Sequence, residues 1–363
     1  RDRHPGDPLS RDGPGTARAW QAPVAIVSFR LGGPDGVSVV AGHWGEAFRR
    51  LGLPVRTVAG AGRADRVVPG LDMDATPGPD LPDRLAEALE GTGLVVVENV
   101  CSLPRNPAAA AALAALLAGR PAILHHHDLP WQREGFGDLP GWPPDDPAWV
   151  HVTINQRSRQ ELAGRGIEAT TVYGGFPVPG PGRRALARGR LGVAPGRWLL
   201  LQPTRAIPRK NVPAGLAMAE ALAADYWLTG PAEDGYAPEL ERLLAATTAR
   251  AHRRVPPGLT MDDAYAACDA VVFPSTWEGF GAPLIEASLH RRPLAVGDYP
   301  VAAELAAFGF RWFPADDPTP LKAFLDHPDP ARLDANHEIA RRRVSLAALT
   351  AQLGTLLRSA GWA

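Results

Sequence analysis

Two glutamates flank a glycine-rich turn in the second half of the chain, and their setting predicts a ligand-binding site. Glu278 and Glu286 have seven residues between them, and the turn, here called the glycine turn, comprises residues 279–283. A wholly apolar run, Ala270–Phe273, precedes it and predicts a buried parallel strand. The proline that ends the turn suits a first helical turn, and we expect the helix to continue to about His290. A helix that begins in this way attracts phosphate through unpaired N–H groups and its dipole.

The two carboxylates have two possible roles. A carboxylate only accepts hydrogen bonds and can hold two hydroxyls at once, so sugar or ribose hydroxyls are suitable partners. The alternative is that Glu278 caps the turn and that Glu286 is a solvated helix residue. The strand before the turn and the helix after it favour the binding role.

A loop in the same half of the chain carries basic side chains. Arg205 and Lys210 lie five residues apart, between a predicted strand at 198–201 and a predicted helix at 212–223. The planar guanidinium suits bidentate contact with phosphate, and lysine supplies a mobile point charge. Arg209 competes with Arg205 for this role, and an exposed basic loop is the alternative interpretation.

Three histidines and an aspartate, residues 125–128, follow a predicted strand at 122–124. These residue types are compatible with zinc, but consecutive strand residues point to opposite faces and cannot all reach one ion. A hydrogen-bonded loop histidine is an alternative interpretation of His127. A second acidic pattern, Asp72 and Asp74, has the D-x-D form that holds a divalent ion on a diphosphate, although no strong strand precedes it.

A glycine loop near the beginning of the chain is a further candidate site. An apolar strand at 24–29 leads into the loop at 30–36, and a helix with one apolar stripe follows. This order is typical of ligand-binding loops in open α/β sheets, and a plain tight turn is the alternative.

Length and composition limit the class of protein. The chain has 363 residues, which suits two domains, and a net charge of −1, which does not indicate nucleic-acid binding. No apolar run is long enough for a membrane span, and two cysteines fit a reducing cytoplasm better than a disulfide framework. Abundant Ala, Gly, Pro and Arg indicate a GC-rich, bacterial genome. Scattered arginines are compatible with peripheral membrane contact, and the sequence does not indicate the oligomeric state.

The stretch W-E-G-F-G-A-P-L-I-E-A, which begins at Trp277, resembles the Glu–seven residues–Glu signature of retaining glycosyltransferases of family 4. The resemblance extends over roughly residues 24–350 and implies an α/β protein of GT-B architecture. Such a protein has two Rossmann-like, doubly wound domains facing a central cleft, and a C-terminal helix that crosses back to the N-terminal domain. The expected parts are a disordered leader (1–22), an acceptor-side domain (23–176), a linker (177–192), a nucleotide-sugar-binding domain (193–340) and the C-terminal helix (341–363).

The resemblance also implies roles for individual residues in the transfer of a hexose-type sugar from a nucleotide diphosphate sugar to an unidentified acceptor, with no metal and no cofactor. The expected catalytic residues are His127, Arg205, Lys210 and Glu278. The expected donor-binding residues are Gly33, Gly36, Phe280, Gly281, Ala282, Pro283, Leu284 and Glu286, and the expected acceptor-side residues are Asp128, Trp131 and Arg133.

The chain departs from the family pattern at two places. Gly174 and Gly175 stand where relatives commonly carry Asn-Gly, and Asp298–Tyr299–Pro300 replaces a glycine-rich turn. Three other functions remain open. These are a phosphorylase or nucleotide-sugar epimerase of the same fold, a non-catalytic nucleotide-sugar-binding protein, and a metal hydrolase built on residues 125–128.

Overall fold

The computed structural model describes residues 22–33, 35–133, 135–137 and 139–362. Residues 1–21 of the predicted leader lie outside the described residues. The chain divides into two compact units. One comprises the part up to Val152 together with the residues from Thr350 onward, and the other is Thr153–Leu349.

One sheet has seven strands, and the first five of them in chain order lie wholly in the first unit. Its strands are β1 (Val24–Leu31), β2 (Val55–Gly62), β3 (Arg66–Val67), β4 (Leu94–Glu98), β5 (Ala122–His126), β6 (Trp149–Thr153) and β7 (Ala169–Thr171). They lie in the order β3-β2-β1-β4-β5-β6-β7, and β1 pairs in parallel with both β2 and β4. All five residues of β4 are buried, and the first four are apolar, as expected of a central strand in a parallel sheet. The boundary between the two units falls inside β6.

The helices of this part of the chain follow the strands. They are α1 (Gly36–Arg50), α2 (Leu81–Ala88), α3 (Pro107–Leu117) and α4 (Gln156–Ala163). The side chain of Asp35 caps α1 by accepting the N–H of Ser38 at 3.0 Å. The apolar face of α1 buries Trp44 and Phe48 completely, so periodicity alone was sufficient to predict this helix.

The second unit is built on a six-stranded sheet. Its strands are β8 (Leu199–Gln202), β9 (Asp225–Leu228), β10 (Ala251–Arg253), β11 (Ala270–Phe273), β12 (Leu294–Val296) and β13 (Phe313–Pro314). They lie in the order β10-β9-β8-β11-β12-β13, with β8 and β11 parallel neighbours. The winding direction reverses between β8 and β11, and ligands of such sheets bind outside the carboxyl ends of the strands at this point. The doubly wound α/β fold class predicted from the sequence is confirmed.

The remaining helices surround the second sheet and close the chain. They are α5 (Arg184–Leu191), α6 (Val212–Ala221), α7 (Ala237–Ala246), α8 (Met261–Ala267), α9 (Ala282–Leu289), α10 (Pro300–Ala306), α11 (Pro318–Asp326), α12 (Pro330–Arg343) and α13 (Leu346–Ser359). Strand β11 and helix α9 confirm the strand and helix predicted around the glycine turn. Helix α5 occupies part of the stretch predicted as a linker.

The C-terminal helical region has a break that the sequence did not predict. Helix α12 ends at Arg343 and α13 begins at Leu346, because Ser345 forms a parallel bridge with Phe176. Phe176 donates its N–H to Val344 and accepts from the N–H of Leu346, each at 2.8 Å. None of the helices in the described ranges has the length and apolar character required to cross a membrane.

The core of the first unit generates a stability prediction. Leu113 on α3 is fully buried, whereas Leu139 is 40% exposed. Leu113→Ala should lower the free energy of unfolding by about 3 kcal/mol, because it leaves a cavity in addition to losing apolar burial. Leu139→Ala, the matched control, should change it by no more than about 0.5 kcal/mol. Urea denaturation of both variants measures the difference, and equal losses would contradict the burial assignment.

Candidate active site

The glycine turn joins β11 to α9 and has a conformation that requires glycine. Gly281 has φ +89°, and a Cβ placed on it would lie 2.7 Å from Tyr299 Oη and 3.0 Å from Leu284 Cδ1. Asn155 Nδ2 donates to the carbonyl of Gly279 at 2.7 Å, which anchors the start of the turn. The ring of Phe280 stacks on Phe176 with 5.9 Å between centroids.

The first turn of α9 offers fewer free amides than predicted. Ala282 is its first residue, Pro283 has no N–H, and the N–H of Leu284 donates to the Gly281 carbonyl at 3.0 Å. Attraction of phosphate to this end of the helix therefore depends on the remaining amides and the dipole. Because few free amides remain, attraction of phosphate to this region depends more on the nearby basic side chains of Arg209 and Lys210.

Glu278 lies between two cations, and we call these three residues the cation clamp. Its Oε1 accepts from Lys210 Nζ, and its Oε2 accepts from Arg209 Nη1 at 2.7 Å. The same Arg209 nitrogen donates to the Trp277 carbonyl at 3.0 Å. The side chains of Glu278 and Lys210 are only 8% and 10% exposed. The clamp is therefore a largely buried ion cluster with one net positive charge.

Fold topology explains why the clamp residues meet. Lys210 follows β8, on a short 3-10 turn at Pro208–Lys210, and Glu278 follows β11. These neighbouring parallel strands release both loops at the same edge of the sheet. Burial lowers the pKa of Lys210, the Glu278 carboxylate opposes that change, and the Arg209 charge lowers the pKa further.

The structure gives Arg205 a different partner from the one that the sequence suggested. Its Nη1 lies 2.5 Å from Glu233 Oε2, and the two side chains are 48% and 40% exposed. An exposed pair of this kind contributes about 0–1 kcal/mol to stability. Of the two arginines considered from the sequence, Arg209 is the one that contacts Glu278.

Glu286 is held by α8 rather than by the cation clamp. Tyr265 Oη donates to Glu286 Oε2 at 2.6 Å, and the Tyr265 ring stacks on His290 with 4.5 Å between centroids. Burial raises the pKa of Glu286, and the tyrosine hydrogen bond opposes that change. One carboxylate oxygen is thus fixed by a fully buried side chain, and the other makes no hydrogen bond among the described residues.

A cavity of about 510 Å³ opens at the carboxyl ends of β11 and β12. Ser275 and Thr276, which lie three and two residues before the clamp glutamate, line it together with Asn211, Gly297 and Asp298. Its position at this edge of the sheet matches the place where doubly wound folds bind ligands.

In the first unit, the histidine run divides between two faces of β5. His127 Nε2 lies 2.6 Å from Glu98 Oε2, and His125 Nδ1 lies 2.8 Å from the same oxygen. His126 points to the opposite face and bonds Ser102 Oγ at 2.6 Å. Alternation along the strand thus separates His126 from its neighbours, as the sequence predicts.

The predicted acceptor-side residues lie just beyond β5. Asp128 accepts from Arg133 Nε at 2.9 Å and from Asn99 Nδ2 at 3.4 Å. Trp131 is half-buried in a short 3-10 turn, Pro130–Gln132. The aspartate is therefore engaged with neighbouring side chains.

The N-terminal glycine loop is shorter than predicted. Gly36 is already the first residue of α1, and a Cβ placed on it would meet no atom within 4 Å. A Cβ on Gly33 would lie 2.9 Å from Asp35 Oδ2. Of the two glycines, only Gly33 lies in the loop between β1 and α1.

Two patterns were considered as metal ligands. Among the described residues, Glu98, His125 and His127 form the group whose ligand atoms lie close enough for one ion, within 4.8 Å of one another. In the D-x-D pattern, Asp74 lies 3.7 Å from Arg30, and Asp72 accepts from the backbone of Asp74. The histidine cluster differs from the predicted one because Glu98 replaces His126 and Asp128.

Three residues of these sites were not identified from the sequence. Glu98 ends a wholly apolar strand, and a charged residue at that position is a usable signal. Tyr265 and Asn155 carry no such signal, because their roles depend on partners 21 and 124 residues away in the chain.

Comparison with known proteins shows what this chain is similar to. Residues 185–323 match the family model described as glycosyl transferases group 1. The chain is 25% identical over 347 residues to mannosylglucosylglycerate synthase of Thermotoga maritima, across 77% of this chain and 81% of the relative. The corresponding enzyme of Petrotoga mobilis is 23% identical over 378 residues, across 79% of this chain and 85% of the relative.

Solved structures show the same fold at low sequence identity. Anabaena HepE, solved in complex with UDP and glucose, has a TM-score of 0.68 and 17% identity, covering 93% of this chain and 100% of that one. Sucrose-phosphate synthase from Thermosynechococcus elongatus has a TM-score of 0.69 and 16% identity, with 93% and 99% covered. The chain has the GT-B fold, and its second half resembles the group 1 glycosyltransferases.

Proposed function

We propose that this glycosyltransferase transfers a hexose-type sugar from a nucleotide diphosphate sugar to a hydroxyl of an acceptor, with retention of anomeric configuration and without a metal. The cation clamp is the observation that carries the proposal. Retention is proposed from the resemblance of the Glu–seven residues–Glu motif to that of retaining enzymes. The free, buried cysteines Cys101 and Cys268 support a cytoplasmic location.

The clamp suits the charge that develops during transfer. Cleavage of the bond to the sugar leaves a nucleoside diphosphate with increased negative charge, and Lys210 and Arg209 supply fixed positive charge for it. A well-placed group of this kind contributes roughly 3 kcal/mol to transition-state stabilisation. Two groups give about 6 kcal/mol, and the α9 dipole and its free amides supply part of the remainder, since enzymes provide at least about 8 kcal/mol.

The carboxylates complete the proposed donor site. Each oxygen of Glu278 already accepts from one cation and retains a second lone pair, so it can still accept a sugar hydroxyl. The free oxygen of Glu286 is proposed to accept the ribose hydroxyls. Arg205 is proposed to act from a greater distance, as part of the local positive field.

His127 is proposed to contact a substrate hydroxyl, and Asp128, Trp131 and Arg133 to contribute to the acceptor side. Gly33 and Gly36 are proposed to belong to the loop that meets the donor. The acceptor stays unassigned. The relatives named for mannosylglucosylglycerate synthesis make small sugar-bearing acids sensible members of an acceptor panel.

The first test is a donor screen. Thermal unfolding should shift upward with one or more members of a panel of nucleotide diphosphate sugars, because ligand binding stabilises the folded state. The stabilising donor should then release its nucleoside diphosphate when acceptor is present, at a rate that EDTA changes less than twofold. Donor consumption without acceptor would instead indicate an epimerase, and loss of the rate in EDTA would contradict metal independence.

The second test concerns the clamp. Lys210→Ala and Arg209→Ala should each lower the transfer rate by about a hundredfold, because each removes a charge that stabilises the leaving diphosphate. Arg205→Ala should have a smaller effect, because its side chain is exposed and pairs with Glu233. Arg242→Ala removes an arginine that is 65% exposed and serves as the control, with an unchanged rate expected. A larger loss of transfer rate in Arg205→Ala than in Arg209→Ala would instead assign stabilisation of the leaving diphosphate to Arg205.

The third test concerns Glu286. Glu286→Gln should raise the dissociation constant of the donor by roughly 10- to 100-fold, because a charged acceptor of ribose hydroxyls is lost. Tyr265→Phe should give a smaller increase, because the carboxylate stays in place without its orienting hydrogen bond. Isothermal titration calorimetry with the stabilising donor measures both, and unchanged affinity in Glu286→Gln would exclude the ribose role.

A further inference from the structure

Glu98 has an unusual position for a glutamate, because it is the fully buried last residue of an apolar strand. One of its oxygens, Oε2, serves both His125 Nδ1 and His127 Nε2, at 2.8 and 2.6 Å. Both distances are those of hydrogen bonds to a charged acceptor. The carboxylate therefore joins two histidines that leave the same face of β5.

The protonation states follow from burial and pairing. Burial opposes ionisation of Glu98, but the two imidazoles outweigh it and lower its pKa to about 2. Burial lowers the pKa of His125, with the Glu98 charge opposing that change. An ionised Glu98 can only accept, so each ring nitrogen that faces it carries the hydrogen. His127 thus holds its hydrogen on Nε2.

The remaining ring nitrogens distinguish the three histidines. His126 uses both nitrogens, because Nδ1 bonds Ser102 and Nε2 bonds His151 at 2.9 Å. His125 Nε2 is enclosed, without a partner among the described residues. His127 Nδ1 makes no hydrogen bond in the described part of the chain, and the side chain remains 7% exposed. His127 is therefore the one of these three that can offer a lone pair to a ligand.

A metal ion fits this cluster less well than hydrogen bonds do. Tetrahedral zinc sites hold their ligand atoms about 2.0–2.1 Å from the ion, which separates those atoms by about 3.3 Å. Here a single carboxylate oxygen lies 2.6 and 2.8 Å from the two nitrogens, so the space between them is too small for an ion.

We propose that Glu98 is a positioning residue, which fixes the ring of His127 in the Nε2–H tautomer so that Nδ1 accepts a hydrogen bond from a substrate hydroxyl. This inference rests on the proposed role of His127 in transfer. Carboxylates that orient a functional histidine act in this way in other enzymes, where they hold both its tautomer and its ring orientation.

A double-mutant cycle tests whether Glu98 acts through His127. Glu98→Gln and His127→Asn should each lower the transfer rate, by roughly 10- to 100-fold for Glu98→Gln. The double variant should be no slower than His127→Asn alone. If Glu98 acts only through His127, its substitution has no further effect once His127 is gone. Ser102→Ala, a buried polar deletion at the same sheet edge, should leave the rate unchanged. Thermal unfolding of every variant checks that it is folded.

NMR of the ring nitrogens provides a readout that does not depend on activity. Free wild-type protein should show His127 with a protonated Nε2 and an unprotonated Nδ1, and Glu98→Gln should give a mixture of tautomers. A protonated Nδ1 in neutral wild-type His127, additive losses in the cycle, or stoichiometric zinc that disappears in Glu98→Gln would each overturn the inference. If His127→Asn transfers at the wild-type rate, the proposed role of His127 is what fails, and the tautomer result still reports separately on Glu98.

Discussion

The cation clamp of the second unit depends on one buried carboxylate that neutralises only part of the charge around it. Glu278 holds Lys210 and Arg209 in fixed positions, and a single net positive charge remains in a poorly solvated place. Burying a lone ammonium would be costly, and the glutamate offsets that cost. The positive charges are therefore already oriented, and fixed charges stabilise an anion more effectively than flexible surface cations do.

The first unit also has a buried glutamate that holds two side chains, but these side chains are histidines. Glu98 ends β4 and holds two histidines that extend from β5, just as Glu278 follows β11 and holds cations that follow β8. In both sheets the acidic residue lies at the carboxyl end of a central strand, beside a neighbour that carries its partners. Parallel pairing makes this possible, because it brings the ends of adjacent strands to one edge.

Buried aromatic side chains hold the rest of the site. Tyr265 fixes one oxygen of Glu286, and Tyr299 occupies the space that any side chain on Gly281 would need. Tyr299, in the segment Asp298–Tyr299–Pro300, is thus one reason why only glycine fits at position 281 of the turn. Rigid supports of this kind hold a functional group in place at little entropic cost on binding.

The sequence alone determined the doubly wound class and the strand and helix around the glycine turn, because apolar periodicity and local motifs are encoded over short distances. It also selected Glu278, Glu286, Lys210 and His127 as candidate site residues. It did not predict β3, β12 or β13, since strands of two or three residues carry little periodicity. Only the tertiary structure decided which arginine meets Glu278. Arg205 and Arg209 lie on one loop, and the path of that loop after β8 gives the first to Glu233 and the second to the clamp. The pairing of His127 with Glu98 was likewise undecided, because it joins residues from two strands that become neighbours only when the sheet forms.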